Sequence, residues 1–151
     1  MKKFIQVIDG DELFYIKLTN SKIVTGENGA LMKTKVKNII RTCDMDRASF
    51  AIVKPEGIYS TITVGLNESI YVSYRTQDEI TLDAEIYGTD QKEMFDKAIS
   101  IVNSRLAQID AVKRRCNENI DELLIAATVL EVEQKSSSNE VSLEEAASMA
   151  L

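Results

Sequence analysis

The spacing of apolar residues changes at about Gly88, and this change limits the folds that the chain can adopt. Before Gly88, apolar and polar residues alternate in short runs between turn residues, which is typical of strands with one buried face. After Gly88, apolar residues recur every three or four positions, as on one side of a helix. The chain has 151 residues, enough for one ordinary domain, so we predict an α+β fold.

Residues 1–88 are predicted to form an antiparallel sheet built as a meander of hairpins. Asp9-Gly10, Asn28-Gly29 and Pro55-Glu56-Gly57 are sequences typical of tight turns. The runs between these turns, including residues 4–8, are rich in residues that favour strands. Because each predicted strand has only one apolar face, we expect one side of this sheet to be covered.

Residues 90–134 are predicted to form an antiparallel helical hairpin that packs on the sheet. The basic run Lys113-Arg114-Arg115 suits the end of a first helix, where cations favour the helix dipole. Asn119 and Glu122 then fit the capping box of a second helix. A short connection between two such helices makes them antiparallel.

The domain organisation follows from these two parts. Residues 1–134 are expected to be a single α+β domain. The composition of the segment after residue 134 is typical of a flexible linker, and residues 135–151 are expected to contain such a linker and a short C-terminal helix.

The second predicted helix carries apolar side chains around most of its circumference. Such a helix has to be covered on more than one side, and one small domain offers few covering surfaces. We therefore expect self-association into a homodimer or a higher oligomer, in preference to a monomer with this helix in its middle layer. The residues expected at the oligomer interface are Leu123, Leu124, Ile125, Ala127, Val129, Leu130 and Val132.

Composition argues against an enzyme. The chain has no histidine, the side chain on which most serine and cysteine catalytic sets depend. No phosphate-binding glycine loop or dinucleotide-binding motif occurs. Cys43 and Cys116 fit neither a zinc site nor a disulfide framework, and Asp44 and Asp46 lack a third oxygen ligand nearby. We expect no catalytic residue, no metal and no cofactor.

Lys33, Lys35 and Lys37, followed by Arg41, form the most informative polar pattern. Alternate positions of a strand project to the same face, so a strand here would carry a row of cations. Such a row could hold a small phosphate-bearing, nucleotide-like ligand at or near the subunit interface, or contact a nucleic-acid backbone. Two other interpretations remain open, namely an edge strand protected by charge and a helix over residues 30–42 that disperses the row.

The charge of the chain is unevenly distributed. Residues 1–42 contain eight Lys and Arg against four Asp and Glu, whereas residues 43–151 contain ten against twenty. Opposite charges in the two parts can steer encounters with a charged partner or with a second copy. The acidic total disfavours nucleic acid as the partner. No run approaches the roughly 20 apolar residues of a membrane span, so we expect a cytoplasmic protein without membrane contact.

From Ile80 onward, the order of a strand, Gly88, an amphipathic helix and a Leu- and Ala-rich helix is similar to the helical part of the ZapA cell-division proteins. The second of these helices contains the sequence Leu123-Leu124-Ile125-Ala126-Ala127-Thr128-Val129-Leu130-Glu131. The resemblance covers about a third of the chain, lacks the family's second strand after the glycine and leaves residues 1–79 unexplained. It implies dimerisation through such helices, and we do not assign the chain to this family.

These features favour binding over catalysis. We expect a non-catalytic, homo-oligomeric protein that acts on another protein as an adaptor, an inhibitor or a regulatory module, as small accessory proteins of phages and mobile elements do. The first alternative is binding or sequestration of a nucleotide-like ligand on Lys33, Lys35, Lys37 and Arg41. The second alternative is binding to a nucleic-acid backbone.

Overall fold

The computed structural model describes residues 2–20, 22–41, 46–75 and 81–149, with side chains except those of Arg41 and residues 138–149. These residues form an α+β fold with a seven-stranded antiparallel sheet and one C-terminal helix. The chain divides into two compact units, residues 1–108 and residues 109–151, and each is described by itself below.

The sheet is antiparallel throughout, and its strands follow the order β5-β4-β3-β1-β7-β6, with β2 paired to β1. Short 3-10 turns occur at Phe4–Gln6 and Glu27–Gly29. The elements are β1 (Glu12–Thr19), β2 (Lys22–Val24), β3 (Met32–Arg41), β4 (Arg47–Val53), β5 (Tyr59–Gly65), β6 (Ile70–Tyr74), β7 (Asp83–Gly88) and α1 (Gln91–Met149).

The predicted antiparallel sheet is confirmed, but its first strand is not where the sequence placed it. Residues 4–6 form a 3-10 turn, and its two core side chains, Phe4 and Val7, are three positions apart. The backbone of this turn is held by the connection between β5 and β6, because the Phe4 N–H donates to the Glu68 carbonyl at 2.8 Å. The apolar run at residues 4–8 therefore contributes to the core as a turn and not as a strand. β3, and not this run, pairs with the first half of β1.

The sheet curls so that strands from both ends of its path contribute to one interior core. Ile62 and Val64 of β5 and Tyr71 of β6 belong to the same apolar cluster, although β5 and β6 are the first and last strands of the path. The other members are Phe4, Val7, Leu13, Tyr15, Val36, Ala48, Phe50, Ile52, Leu66 and Tyr87, with Met32 and Ile39 packed against them.

A second apolar core lies on the opposite face of β1 and β7. Ile16 and Leu18 of β1 and Ile86 of β7 pack there with Met94 and other residues of α1. Since β1 also contributes to the interior core, the sheet is covered on both sides at β1 and β7, where only one covered side was predicted.

The structure has one helix where the sequence predicted two. α1 runs without interruption from Gln91 to Met149, through the predicted connection after Arg115 and the predicted linker after residue 134. No glycine or proline occurs after Gly88, so no residue forces the backbone out of the helix at either place. A helical hairpin is thus absent from the described residues. Despite the length of α1, no helix in the described ranges is apolar enough over a sufficient stretch to cross a membrane.

Gly88 allows β7 to lie close to α1 and to the connection before β6. A Cβ at this position would lie 2.9 Å from the Ser69 carbonyl oxygen and equally close to the Met94 side chain. We predict that Gly88→Ala lowers the free energy of unfolding by about 1–3 kcal/mol, because the backbone has to shift to admit the methyl group. Urea denaturation followed by tyrosine fluorescence measures this change. The control Asn103→Ala, at an exposed position of α1, should change it by less than about 0.5 kcal/mol; an equally small effect of Gly88→Ala would refute the prediction.

Candidate functional site

A buried ionic cluster lies on the interior face of the sheet, centred on Glu85 of β7. The Glu85 carboxylate is only 3% exposed. It accepts hydrogen bonds from the Lys54 ammonium at 3.1 Å and from the Tyr87 hydroxyl, and it forms an ion pair with the Arg75 guanidinium at 2.7 Å. Lys54 is buried as well, and Arg75 is half exposed. One carboxylate therefore ties the end of β4 to the ends of β6 and β7.

The ionic cluster is built to hold its charges rather than to exchange protons. Burial alone would raise the pKa of Glu85, but the hydrogen bonds from Tyr87 and Lys54 and the positive charges of Lys54 and Arg75 outweigh burial and hold this pKa below its ordinary value. Burial and the negative charge of Glu85 raise the pKa values of the Tyr15 and Tyr87 hydroxyls above their ordinary values. These three shifts all move away from neutral pH, which does not suit general acid–base chemistry.

Polar atoms next to the ionic cluster lack hydrogen-bond partners. The register of β1 and β7 places Tyr15 opposite Tyr87 and Thr19 opposite Asp83, so all four lie on the interior face of the sheet. Within the described residues, the buried Tyr15 hydroxyl, Thr19 hydroxyl and Asp83 Oδ1 have no partner. Groups of three or more potential metal ligands are also absent from these residues, and Asp44 lies outside them.

The alternation of apolar and polar residues predicted that each strand leaves one face exposed, and for Glu85 of β7 this prediction is wrong. The alternation in β7 was identified correctly, but both of its faces are covered: Ala84 and Ile86 face α1, while Glu85 and Tyr87 face the interior. The signal available in the sequence was Lys54, which continues the inward positions Phe50 and Ile52 of β4 and therefore brings a cation to the same interior.

The predicted basic row lies on β3, and the structure divides it. Lys33, Lys35 and Lys37 are exposed, while the intervening Thr34 and Val36 are buried. Lys33 also forms an exposed ion pair with Glu12 on the neighbouring strand, at 3.3 Å.

An irregularity in the pairing of β3 separates Arg41 from this row. The register with β4 shifts between Val36 and Asn38, and such a bulge moves the following residues to the other face. Arg41 pairs with Ala48, a residue of the interior core, whereas Lys35 pairs with Val53, outside that core. The structure places Lys33, Lys35 and Lys37 on one strand, and the register shift lies between Lys35 and Arg41.

The predicted oligomer-interface residues lie on α1 in the unit formed by residues 109–151. Every described side chain from residue 113 to residue 137 is exposed. The large apolar side chains of this stretch are 50–68% exposed, with Val129 lowest and Leu123 highest. Ile120 is exposed, and so are all the residues predicted at the oligomer interface: Leu123, Leu124, Ile125, Ala127, Val129, Leu130 and Val132.

A groove lies along β6 and the first part of α1, within the unit formed by residues 1–108. It consists of two clefts of about 470 and 460 Å³ that share Tyr74 and Lys97. We call it the β6 groove. The first cleft is lined by Tyr74, Lys97, Ser100, Ile101, Ser104, Arg105 and Gln108, and the second by Lys3, Asn67, Glu68, Ser69, Ile70, Val72, Tyr74, Glu93 and Lys97. The groove was not predicted from the sequence, because it depends on how α1 lies against a strand at the end of the sheet.

Comparison with known proteins does not place the chain in a family. No protein-family model matches it, and no curated protein or solved structure is significantly similar to it. The accessible features that bear on its function are the exposed surface of α1, the lysine row and the β6 groove.

The ionic cluster gives a prediction about stability. Glu85→Gln leaves the buried Lys54 ammonium without its charged partner, so we expect the free energy of unfolding at neutral pH to fall by about 3–5 kcal/mol. The control Lys33→Gln breaks an exposed ion pair and should cost less than about 1 kcal/mol. Urea denaturation of both variants provides the comparison. Equal effects of the two substitutions would contradict the role assigned to Glu85.

The lowered pKa of Glu85 also predicts the pH dependence of stability. The folded protein holds this carboxylate charged to a lower pH than the unfolded chain does, so the stabilisation is complete above the ordinary pKa of 4.5 and is lost as the pH falls below it. The difference in unfolding free energy between the native protein and Glu85→Gln should therefore shrink as the pH is lowered from 4.5 into the acid range. A constant difference across this range would argue against the lowered pKa.

Proposed function

We propose that this chain is a non-catalytic, cytoplasmic binding protein that works as a homo-oligomer and acts on another protein as an adaptor, an inhibitor or a regulatory module. The observation that carries this proposal is the exposed apolar surface of α1 between Ile120 and Val132. Contiguous apolar surface of this kind marks association sites in soluble proteins. Burying one exposed Leu, Ile or Val side chain contributes roughly 1.5–3 kcal/mol, so covering this stretch is a large source of free energy.

The spacing of the exposed residues favours a second helix as the cover. Cys116, Ile120, Leu123, Ala127 and Leu130 follow one another at intervals of four and three residues. This is the spacing of the a and d positions in a coiled coil, where the side chains of one helix insert between those of another. We call these five residues the seam. A second copy of the chain supplies an identical seam, which makes a symmetric contact the simplest way to cover it.

A second apolar face supports assemblies larger than a dimer. At 3.6 residues per turn, Ile125, Val129 and Val132 lie together on the side of α1 roughly opposite to the seam. A single partner helix covers only one side, so this opposite face has to be buried by a further helix. The helical hairpin expected from the sequence would have supplied such a neighbour within one chain. Because α1 is a single helix, we assign this role to other copies.

The described chemistry of the chain supports binding over catalysis. Glu85 is the buried carboxylate of the ionic cluster, and its oxygens are already engaged by Lys54, Arg75 and Tyr87. A carboxylate held in this way is not available as a base or a nucleophile near neutral pH. The β6 groove and the seam, in contrast, offer the accessible surface that a binding protein needs.

Light scattering combined with gel filtration tests the self-association. The chain has a mass of 16.9 kDa, and we expect at least twice this value at tens of micromolar. Replacing both Leu123 and Leu130 by Glu puts two charges into the seam, which should reduce the measured mass to that of one chain. Lys135→Glu lowers the charge by the same two units outside both apolar faces, and it should leave the mass unchanged. A native protein that is monomeric at these concentrations would sink the proposal.

Binding of a small anion on β3 is a second candidate, supported by the shared exposure of Lys33, Lys35 and Lys37 on one strand face. Three cations on one face of a strand can contact the oxygens of a nucleotide-like ligand. The ion pair of Lys33 with Glu12 reduces the local positive charge, and for this reason we place this candidate second.

Thermal-shift measurements with nucleoside mono-, di- and triphosphates test this second candidate. A ligand at a hundredfold excess over its dissociation constant stabilises the folded protein by about 2.7 kcal/mol, which is a readily measured rise in Tm. The stabilisation should disappear when Lys33, Lys35 and Lys37 are all replaced by Gln. The same nucleotides should remain effective on a protein with Lys113→Gln, an exposed lysine of α1 far along the chain. No rise in Tm with any nucleotide would remove this candidate.

A further inference from the structure

The β6 groove contains the free edge of the sheet. β6 is the last strand of the path and pairs with β7 on one side. Within residues 2–20, 22–41, 46–75 and 81–149, no strand pairs with its other side. An edge strand with unpaired backbone groups is a template for adding another strand.

The register with β7 identifies which backbone groups of β6 point into the groove. The Thr89 N–H donates to the Ser69 carbonyl at 3.0 Å, and the Arg75 N–H donates to the Asp83 carbonyl at 2.8 Å. In an antiparallel pair, residues at alternate positions turn both backbone groups toward the partner. The odd-numbered residues therefore bond β7, and the N–H and carbonyl groups of Ile70, Val72 and Tyr74 point to the free edge.

These same three residues line the β6 groove, so the free backbone groups open into it. β6 has five residues, which at about 3.3 Å per residue gives an edge of roughly 17 Å. The stretch of α1 from Glu93 to Gln108 runs beside the groove for a similar distance, about 22 Å at 1.5 Å per residue. An extended segment of about six residues fits this length.

The charges of the groove indicate the composition of that segment. The cleft at Tyr74 contains Lys97 and Arg105, and no carboxylate is among the described residues that line it. The other cleft contains two carboxylates, those of Glu68 and Glu93, and two ammonium groups, those of Lys3 and Lys97. The Glu93 carboxylate accepts a hydrogen bond from the Ser69 hydroxyl at 2.6 Å, so part of its bonding capacity is used internally. A positive cleft stands out in a chain whose net charge is −6. Tyr74, 56% exposed at the junction of the two clefts, adds the kind of aromatic contact that anchors bound segments.

We propose that the β6 groove binds an extended, acidic segment of a partner protein, which adds to the edge of β6 as a further antiparallel or parallel strand. The partner backbone bonds the free groups of Ile70, Val72 and Tyr74. Its acidic side chains, at alternate positions, lie on the α1 side of the new strand, next to Lys97 and Arg105. Main-chain bonds supply affinity and the alternate side chains supply selectivity, as in other cases of strand addition. This inference names the chemistry of the partner left open by the proposed function, and it does not depend on self-association through the seam.

Synthetic peptides test strand addition directly with the full-length protein. The probe is a fluorescent, terminally blocked peptide with alternating valine and glutamate, and binding is followed by fluorescence anisotropy. We expect saturable binding that is at least about tenfold tighter than that of the matched valine–lysine peptide, a ratio that corresponds to about 1.4 kcal/mol. Equal binding of both peptides, or no binding at millimolar concentrations, would overturn the proposal.

Backbone methylation of the probe separates strand addition from simple charge attraction. Only alternate N–H groups of an added strand face β6. N-methylation of all valines and N-methylation of all glutamates should therefore have unequal effects, one abolishing binding and the other leaving it nearly intact. Both peptides keep the same charge. Equal effects would mean that the peptide does not pair with the strand, and the proposal would fall.

Variants of the protein locate the site. Val72→Pro removes an N–H that points away from β7, so it blocks strand addition without breaking a native ladder bond. Lys97→Glu leaves the backbone edge intact and reverses the charge of the groove. We expect each to weaken binding of the valine–glutamate peptide by at least about tenfold, and we expect Lys97→Glu to improve binding of the valine–lysine peptide. The control Lys113→Glu should leave both affinities unchanged; an equal effect of this control would show that net charge alone drives binding and would refute the site.

β6 of a second copy could also pair with the free edge of β6. Light scattering detects such pairing, because it would change the number of chains in the oligomer. Light scattering on the peptide-bound protein distinguishes the two cases. If the groove takes the acidic segment, the mass per oligomer changes only by the bound peptide. If the native protein instead loses mass when the peptide is added or when Val72→Pro is introduced, copies pair through β6, and the proposed partner is wrong. A monomeric native protein that binds the peptide as expected would overturn self-association through the seam and support the groove.

Discussion

The burial of β1 on both faces is the constraint on which the unit formed by residues 1–108 depends. Leu13 and Tyr15 point into the interior core, while Ile16 and Leu18 face α1. A strand covered on both sides cannot change its register by one residue without exchanging its two apolar sets. β1 is also paired along both edges, with β2 and β3 on one and β7 on the other. It therefore fixes the curl of the sheet and the position of α1 together.

The ionic cluster follows from the same curl. Closing the interior of the sheet brings the end of β4 near β7, and there Lys54 meets Glu85. Taking both charges out of water is unfavourable by itself, and the pairing with Arg75 and the hydrogen bond from Tyr87 offset that cost. The interior is thus apolar around Phe50 and ionic around Glu85. This separation favours the pairing of Lys54 with Glu85 over its burial among apolar side chains.

The features of the fold that the sequence predicted are those set by local chemistry. Pro55-Glu56-Gly57 lies between β4 and β5 as expected, with Gly57 at a φ of +85°, because turn residues act through their own backbone preferences. The remaining features depend on distant contacts. The burial of Glu85 requires Lys54 to arrive from 31 positions away, and the bulge that displaces Arg41 is set by pairing with β4.

In the middle of α1, a local sequence signal predicted a helix boundary that the structure does not have. Asn119 and Glu122 have the pattern of a helix start, yet they lie inside α1. Capping residues compete with helix continuation only where the backbone has a reason to leave the helix, and the stretch after Gly88 contains no glycine or proline. The capping pattern therefore did not begin a new helix, because no residue ended the helix that was already there. The same continuity leaves the apolar residues of α1 without cover from a second helix of the chain.

The proposed seam and the β6 groove reinforce each other. Each copy in an oligomer contributes one groove, so a partner with several acidic segments can engage several copies at once. The second contact is then made at the high local concentration set by the first, which strengthens modest individual affinities without any new interaction. A weak edge-strand site is sufficient for a regulatory protein when it is presented more than once.

The pairing of β1 with β7 has a consequence for biogenesis. Leu18 pairs with Ala84, which the ribosome adds 66 residues later, so β1 emerges long before its neighbour exists. During that interval its β7-side edge and its α1-facing apolar residues stay unprotected, and contacts between such distant positions form slowly. The nascent chain is therefore exposed to off-pathway association at this stage, and a chaperone that shields β1 should raise the yield of native protein.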